Sequence, residues 1–143
     1  MSADLERAKE ILCSSSGSTC VLCRDELTYT TTVRGIRPLV DWLDSGEDTC
    51  GFSAADKVVG KAAALMYCLL GVRCVYGAVM SDAAVKVLRR NGIEAYWGRL
   101  TDGIRNRAGT GLCPMESATM HIDDPDDALP IILSTLAHLN ERN

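Results

Sequence analysis

Histidine is scarce in this chain of 143 residues, with two against seven cysteines. A zinc site needs about four ligands at close spacing, yet the chain has one C-x-x-C, Cys20-Val21-Leu22-Cys23, and no second C-x-x-C or C-x-x-H to complete a set. That pair lies in an apolar run of strand character, where residues three apart point to opposite faces. It is read as core packing, and no metal or cofactor is implied. Aromatic residues amount to 5%, too few for the stacking platforms that hold single strands. A formal charge of −4 gives no basic footprint for nucleic acid, although Arg89, Arg90, Arg99, Arg105 and Arg107 gather in the later half. Nucleic acid is therefore not an expected partner. The longest apolar stretch, Ala62 to Leu70, falls well short of the roughly 20 residues that span a bilayer. Near the start, Asp4, Glu6, Arg7, Lys9 and Glu10 stand where a signal peptide has its apolar centre. The expected setting is the cytoplasm, with no membrane partner and with the cysteines as free thiols in a reducing compartment.

What the chain does have is the balance of a soluble protein, 47% apolar and 24% charged, at a length that builds one core. One domain over 1–143 is expected, its core at about 18–120 and a C-terminal helix at 126–139. Leu5, Ala8, Ile11 and Leu12 have helical spacing, and Ser14 to Ser18 forms a connector. Thr19–Arg24 and Leu27–Val33 read as a hairpin joined at Asp25-Glu26. Pro38 suits the first turn of a helix that stops near Gly46. Phe52–Ala55 reads as a short strand leading into a helix from about Lys57 to Leu70. Val72–Met80 reads as a strand covered on both faces, Ser81 to Asn91-Gly92 as a helix, and Ile93–Trp97 as a strand. A polar loop over Thr101–Leu112, a short helix at Pro114 and a last amphipathic helix with Pro125 in its first turn complete the chain. Strand, helix, strand implies parallel pairing, so the fold class is α/β, a three-layer α-β-α sandwich with a mixed sheet.

Ligands in such sheets bind beyond the carboxyl ends of the strands, where helix N-termini meet. The chain has four lysines, and two, Lys57 and Lys61, fall four residues apart in what reads as one helical turn. Cations at a positive helix end call for a compensating anion, supplied by Asp56 or by a ligand. Gly60, a poor helix former, marks a close approach to the backbone. The plainer alternative makes Asp56 an N-cap and both lysines solvated. Ser81-Asp82 stands at the next strand end, with Ser81 equally suited to an N-cap, and Arg107 lies in the following loop. Gly109-Thr110-Gly111 precedes Cys113-Pro114, a cysteine at a helix N-terminus, a setting that favours nucleophilic thiols. Glu116 follows as a capping acid or proton carrier. The loop is not a P-loop, since no Gly-Lys-Ser/Thr follows.

Ala55-Asp-Lys-Val-Val-Gly-Lys-Ala-Ala-Ala64, Gly109-Thr-Gly-Leu-Cys-Pro-Met-Glu116 and Arg34-Gly-Ile-Arg-Pro-Leu39 together resemble a family of small bacterial proteins known as a domain of unknown function. Its members look like divergent relatives of the cytidine deaminase fold, and the resemblance covers roughly Cys20 to Ala118. It implies a cytidine-deaminase-like architecture. Zinc deaminases of that fold carry His/Cys-x-Glu at one helix start and Pro-Cys-x-x-Cys at the next. The starts read here, Ala54-Ala-Asp-Lys-Val58 and Met80-Ser-Asp-Ala-Ala-Val85, contain no Cys, His or Glu.

The leading expectation is a zinc-free protein that binds a small anionic or nucleotide-like molecule in a helix-N-terminus cleft. Lys57, Asp82 and Cys113 would carry any chemistry, and Asp56, Lys61, Ser81, Arg107, Gly109, Thr110, Gly111 and Glu116 would hold the ligand. A non-catalytic binding or interaction module is one alternative, and a thiol enzyme using Cys113 is another. Whether the chain is an enzyme, and whether it forms a homo-oligomer, is left open.

Overall fold

Alternation along a single strand divides the molecule into two cores. The computed structural model of the protein describes residues 2–14, 16–106 and 108–142. In strand β1 (Cys20–Arg24), Cys20 and Leu22 enter the larger core, while Val21 and Cys23 enter the smaller. The two cysteines of the C-x-x-C thus lie on opposite faces of the sheet, as period-two geometry requires.

The smaller core is roofed by helix α1 (Ala3–Cys13), whose Leu5, Ala8 and Leu12 are buried against Val21, Cys23, Ala55, Cys74 and Tyr76. Ser2 caps it, its hydroxyl accepting from the Leu5 N–H at 3.2 Å, a bond that satisfies one otherwise orphaned helix donor. β1 turns at Asp25 (φ 54°) into β2 (Leu27–Thr31), and the hairpin is antiparallel. Helix α2 (Arg37–Ser45) follows, with Pro38 in its first turn and Gly46 closing it in the left-handed conformation.

β3 (Ser53–Val59) then pairs antiparallel with β1 and parallel with β4 (Cys74–Ser81), which pairs parallel with β5 (Glu94–Thr101). The five-stranded mixed sheet has the order β2-β1-β3-β4-β5. Helices α3 (Lys61–Leu70) and α4 (Asp82–Arg90) are the crossovers and bury Leu65, Met66, Tyr67, Val87 and Leu88 in the larger core. Short helix α5 (Pro114–Thr119) and α6 (Pro125–Arg142) pack outside α3, contributing Met115, Ala128 and Ile132. The result is an α/β sandwich with α1 on one face and the remaining helices on the other. Among the described residues, no helix is long and apolar enough to cross a membrane.

One expected boundary is wrong, and it matters for the site. The helix read from Lys57 begins at Lys61, because β3 runs on through Asp56, Lys57, Val58 and Val59. β1 pairs with this strand as far as Asp56, where the Lys57 N–H also reaches the Thr19 carbonyl, and β4 pairs with it as far as Val59, so ladder hydrogen bonds and the β-branched Val58-Val59 outweigh the helix propensity of Ala-Ala-Asp-Lys. Asp56 is therefore not an N-cap, and Lys57 and Lys61 do not share a helical turn. β5 likewise reaches Thr101 rather than ending at Trp97, held along β4 by pairing up to Ser81 and Thr101.

Candidate functional site

Helix α3 starts at Gly60, which is extended (φ −95°, ψ −174°) and brings no side-chain cap of its own. The first backbone donors of a helix need an acceptor, and the positive end of its dipole favours an anion. Glu116 on α5 supplies both. Its Oε1 accepts from the Lys61 N–H at 2.7 Å and its Oε2 from the Ala62 N–H at 3.0 Å. A Cβ on Gly60 would lie 1.9 Å from Oε1, so the glycine is the space that the carboxylate occupies.

Lys61 is equally committed. Its ammonium, 8% exposed as a residue, donates to the Met120 carbonyl at 2.9 Å and to Asp123 Oδ1 at 3.2 Å. The hydrogen bond from Lys61 holds the Asp123 carboxyl below its ordinary range, helped by Lys61's charge and by Arg90 at 3.7 Å. Glu116 and Lys61 thus pin α5 and the turn after it to the start of α3. What remains beside them is a small cavity of about 140 Å3, also lined by Ser81, Gly103 and Leu112.

Of the other expected residues, Ser81 lines this cavity, and Asp82, Gly109, Thr110, Gly111 and Cys113 do not. Ser81 caps α4, its hydroxyl accepting from the Ala84 N–H at 3.1 Å, while Asp82 is exposed at the first position of that helix. Gly109 (φ 71°), Thr110 and Gly111 form a turn closed on Asn106, which binds Thr110 through its side chain at 3.1 and 3.2 Å. Arg107 lies outside the described residues. Cys113 is half-buried against the larger core, at the head of a six-residue helix. Lys57, Asp82 and Cys113 sit on three separate elements, and the structure does not place them around one of the described cavities. Native-state alkylation should label the exposed Cys13 and Cys50 first and leave the buried Cys20, Cys23 and Cys74 unmodified, which peptide mass mapping reads directly. Labelling of Cys113 ahead of those two would revive the thiol-enzyme alternative.

A second cavity opens at the same carboxyl edge, on the β1 side of β3. It holds about 340 Å3 and is lined by Thr19, Cys20, Arg34, Gly35, Asp56, Lys57 and Val58. The Lys57 N–H donates to the Thr19 carbonyl at 3.0 Å, closing the floor between the strands. Gly35 adopts φ 85°, a left-handed turn that favours glycine, and carries the chain past the opening into α2. Arg34 and Lys57 are exposed, and among the described residues neither pairs with a carboxylate.

Between them stands a connected polar group. The Tyr67 hydroxyl donates to Asp56 Oδ2 at 2.6 Å, the Val58 N–H donates to Oδ1 at 3.3 Å, and Cys20 Sγ lies 3.1 Å from the Tyr67 oxygen. Burial pushes the Asp56 carboxyl up to about 6, against the lowering pull of its hydrogen bonds. Burial, and then the Asp56 charge, push Tyr67 and Cys20 well above their ordinary values. Cys20 is consequently a neutral thiol at neutral pH and no nucleophile. The sequence reading had Asp56 and Lys57 but missed Arg34, Cys20 and Tyr67 as their neighbours. The available signal was Gly35 after an arginine, a turn that costs an unusual conformation. Among the described residues, no group of three or more His, Cys, Asp or Glu side chains is placed to hold a metal ion.

A family model, described as "TM1506: Domain of unknown function (DUF1893)", matches residues 7–136. The fold is shared with a crystal structure of a DUF1893 family protein, TM1506, from Thermotoga maritima. The two superpose with a TM-score of 0.83 over 94% of this chain and 91% of that one, at 22% sequence identity. No curated protein matches the chain.

Proposed function

The chain belongs to the DUF1893 family, whose description carries no activity, and we propose that it binds a small anionic, nucleotide-like molecule in the cavity between β1, β3 and the Arg34-Gly35 turn. The observation that carries this is the pair of cations on one 340 Å3 opening, Arg34 and Lys57, with no carboxylate partner among the described residues. Exposed cations that form no ion pair on a concave site attract anions and can fix them by charge-assisted hydrogen bonds. The cleft at the start of α3 is the weaker candidate, because Glu116 already supplies its anion.

We read this site as deaminase-like without its metal. The consecutive helices that flank the cavity begin Ile36-Arg37-Pro38 and Gly60-Lys61-Ala62, and neither start offers a Cys, His or Glu to hold zinc or move a proton. The residues present do not fit a catalytic zinc, so no step is routed through one. Chemistry, where there is any, rests on Asp56 with Lys57 beside it. The protein works in the cytoplasm, where its thiols stay reduced.

Isothermal titration against a panel of phosphate- and carboxylate-bearing metabolites, nucleotides included, tests the proposal. Arg34→Ala and Lys57→Ala should each weaken the best ligand about tenfold, the scale of one charged hydrogen bond. Both positions are exposed, so both variants should melt like the parent. Unchanged affinity in both variants would remove the site.

A further inference from the structure

We infer that an anion entering this cavity is bound together with a proton carried by Asp56, so that the site recognises a phosphate- or carboxylate-bearing molecule through two cations and one carboxylic acid O–H. The inference rests on the anion site proposed above and specifies how it discriminates.

The geometry around Asp56 is unusual for an ionised carboxylate. Its two side-chain hydrogen-bond partners, the Tyr67 hydroxyl and the Val58 N–H, are neutral donors. Among the described residues no ammonium or guanidinium lies within ion-pair distance of it. The groups that face it are Cys20 from β1, Tyr67 from α3, Lys57 beside it on β3, and Arg34 from the turn before α2. The first two are neutral near pH 7, since burial and the Asp56 charge hold both protonated. The two cations border the opening instead of pairing with the carboxyl.

Asp56 therefore shares a cavity with any anion the cations attract. A carboxylate and an anion in one partly desolvated space repel, and protonation of the carboxyl turns that repulsion into a donated hydrogen bond. Burial already brings the carboxyl to about 6. A bound anion raises it further, and by linkage the proton strengthens the anion to the same extent. Above the titration point of the free protein, apparent affinity should then fall about tenfold for each pH unit, until the value of the bound form is reached.

Sulfate is the probe of choice, because it stays a dianion across the range and any proton taken up belongs to the protein. Calorimetric titrations at about pH 6, 7 and 8, each in two buffers of different ionisation heat, should show sulfate weakening about fivefold from pH 6 to 7 and about tenfold from pH 7 to 8, with proton uptake of about one half at pH 6 rising towards one above it. In Asp56→Asn, which keeps an oxygen for the Tyr67 hydroxyl, sulfate should bind with no proton uptake and almost no pH dependence. Arg34→Ala should weaken the binding about tenfold at all three pH values. Sulfate affinity that is flat with pH in the parent, or proton uptake that survives in Asp56→Asn, overturns the inference and leaves the anion site standing. No sulfate binding to the parent at the lowest pH overturns both.

Discussion

Replacing Glu116 by alanine is expected to lower the stability of the protein by about 2–4 kcal/mol, the loss of two charge-assisted hydrogen bonds and of a countercharge at a helix end. The carboxylate satisfies the Lys61 and Ala62 N–H groups at 2.7 and 3.0 Å from a helix 55 and 54 residues away in sequence. Removing it frees α5 from α3 as well as uncapping α3. Gly60→Ala should cost a similar amount by a different route. Its backbone (φ −95°, ψ −174°) suits alanine, so no conformational strain arises, but the new Cβ would sit 1.9 Å from Oε1 and expel the carboxylate. The two losses are therefore one loss counted at two sites. The double variant Gly60→Ala with Glu116→Ala should be about as stable as Glu116→Ala alone, giving a coupling energy close to the full single-variant effect. Urea unfolding of the four proteins measures it. Additive effects would mean that Gly60 is required for some other reason.

The same contact shows where reading the sequence succeeds and where it stops. Gly60 stood out because glycine in an apparent helix needs a neighbour pressed against its backbone, and such a neighbour exists. Its identity is set by tertiary folding across 55 residues of chain, which no local pattern encodes. Glu116 was legible as a capping acid, but for its own helix, where a Pro-x-Glu start invites that reading. The hairpin, α1, the Pro38 helix and the Ser81 cap were visible because local chemistry and the tertiary fold agree there. Ala-Ala-Asp-Lys was misread because they disagree. Helix propensity favours continuing back from Lys61, and only the placement of β3 between β1 and β4 makes the segment a strand. That single shift separates Lys57 from Lys61, gives Lys61 to a structural ion pair with Asp123, and delivers Lys57 to a cavity with Asp56 and Arg34. The cysteines other than Cys113, read as free core or loop thiols, are buried at Cys20, Cys23 and Cys74 and exposed at Cys13 and Cys50. Cys20 became informative only through Tyr67, a contact 47 residues away.

Asp56→Asn should stabilise the protein at pH 8 by about 1–2 kcal/mol, the reverse of what removal of a structural carboxylate does. Burial raises the native carboxyl from 3.8 to about 6, so the folded state holds the proton more tightly than the unfolded chain. A group raised in this way adds stability that is complete below about pH 4 and is lost as pH rises to about 6, above which the curve is flat. The full shift corresponds to roughly 3 kcal/mol at 1.36 kcal/mol per unit. Part of that is returned because an amide cannot accept from both Tyr67 and Val58. Denaturant unfolding at about pH 4.5 and pH 8 separates the cases. The variant should match the parent within a few tenths of a kcal/mol at the lower pH and exceed it at the higher, with the parent losing stability between the two and the variant holding level. A less stable Asp56→Asn at pH 8 would show an ionised Asp56 holding the fold through Tyr67. A more stable one marks a carboxyl kept in an unfavourable setting, and residues are retained against stability where a site needs their chemistry. With Arg34 and Lys57 on the same opening, that chemistry is the handling of a proton next to an anion.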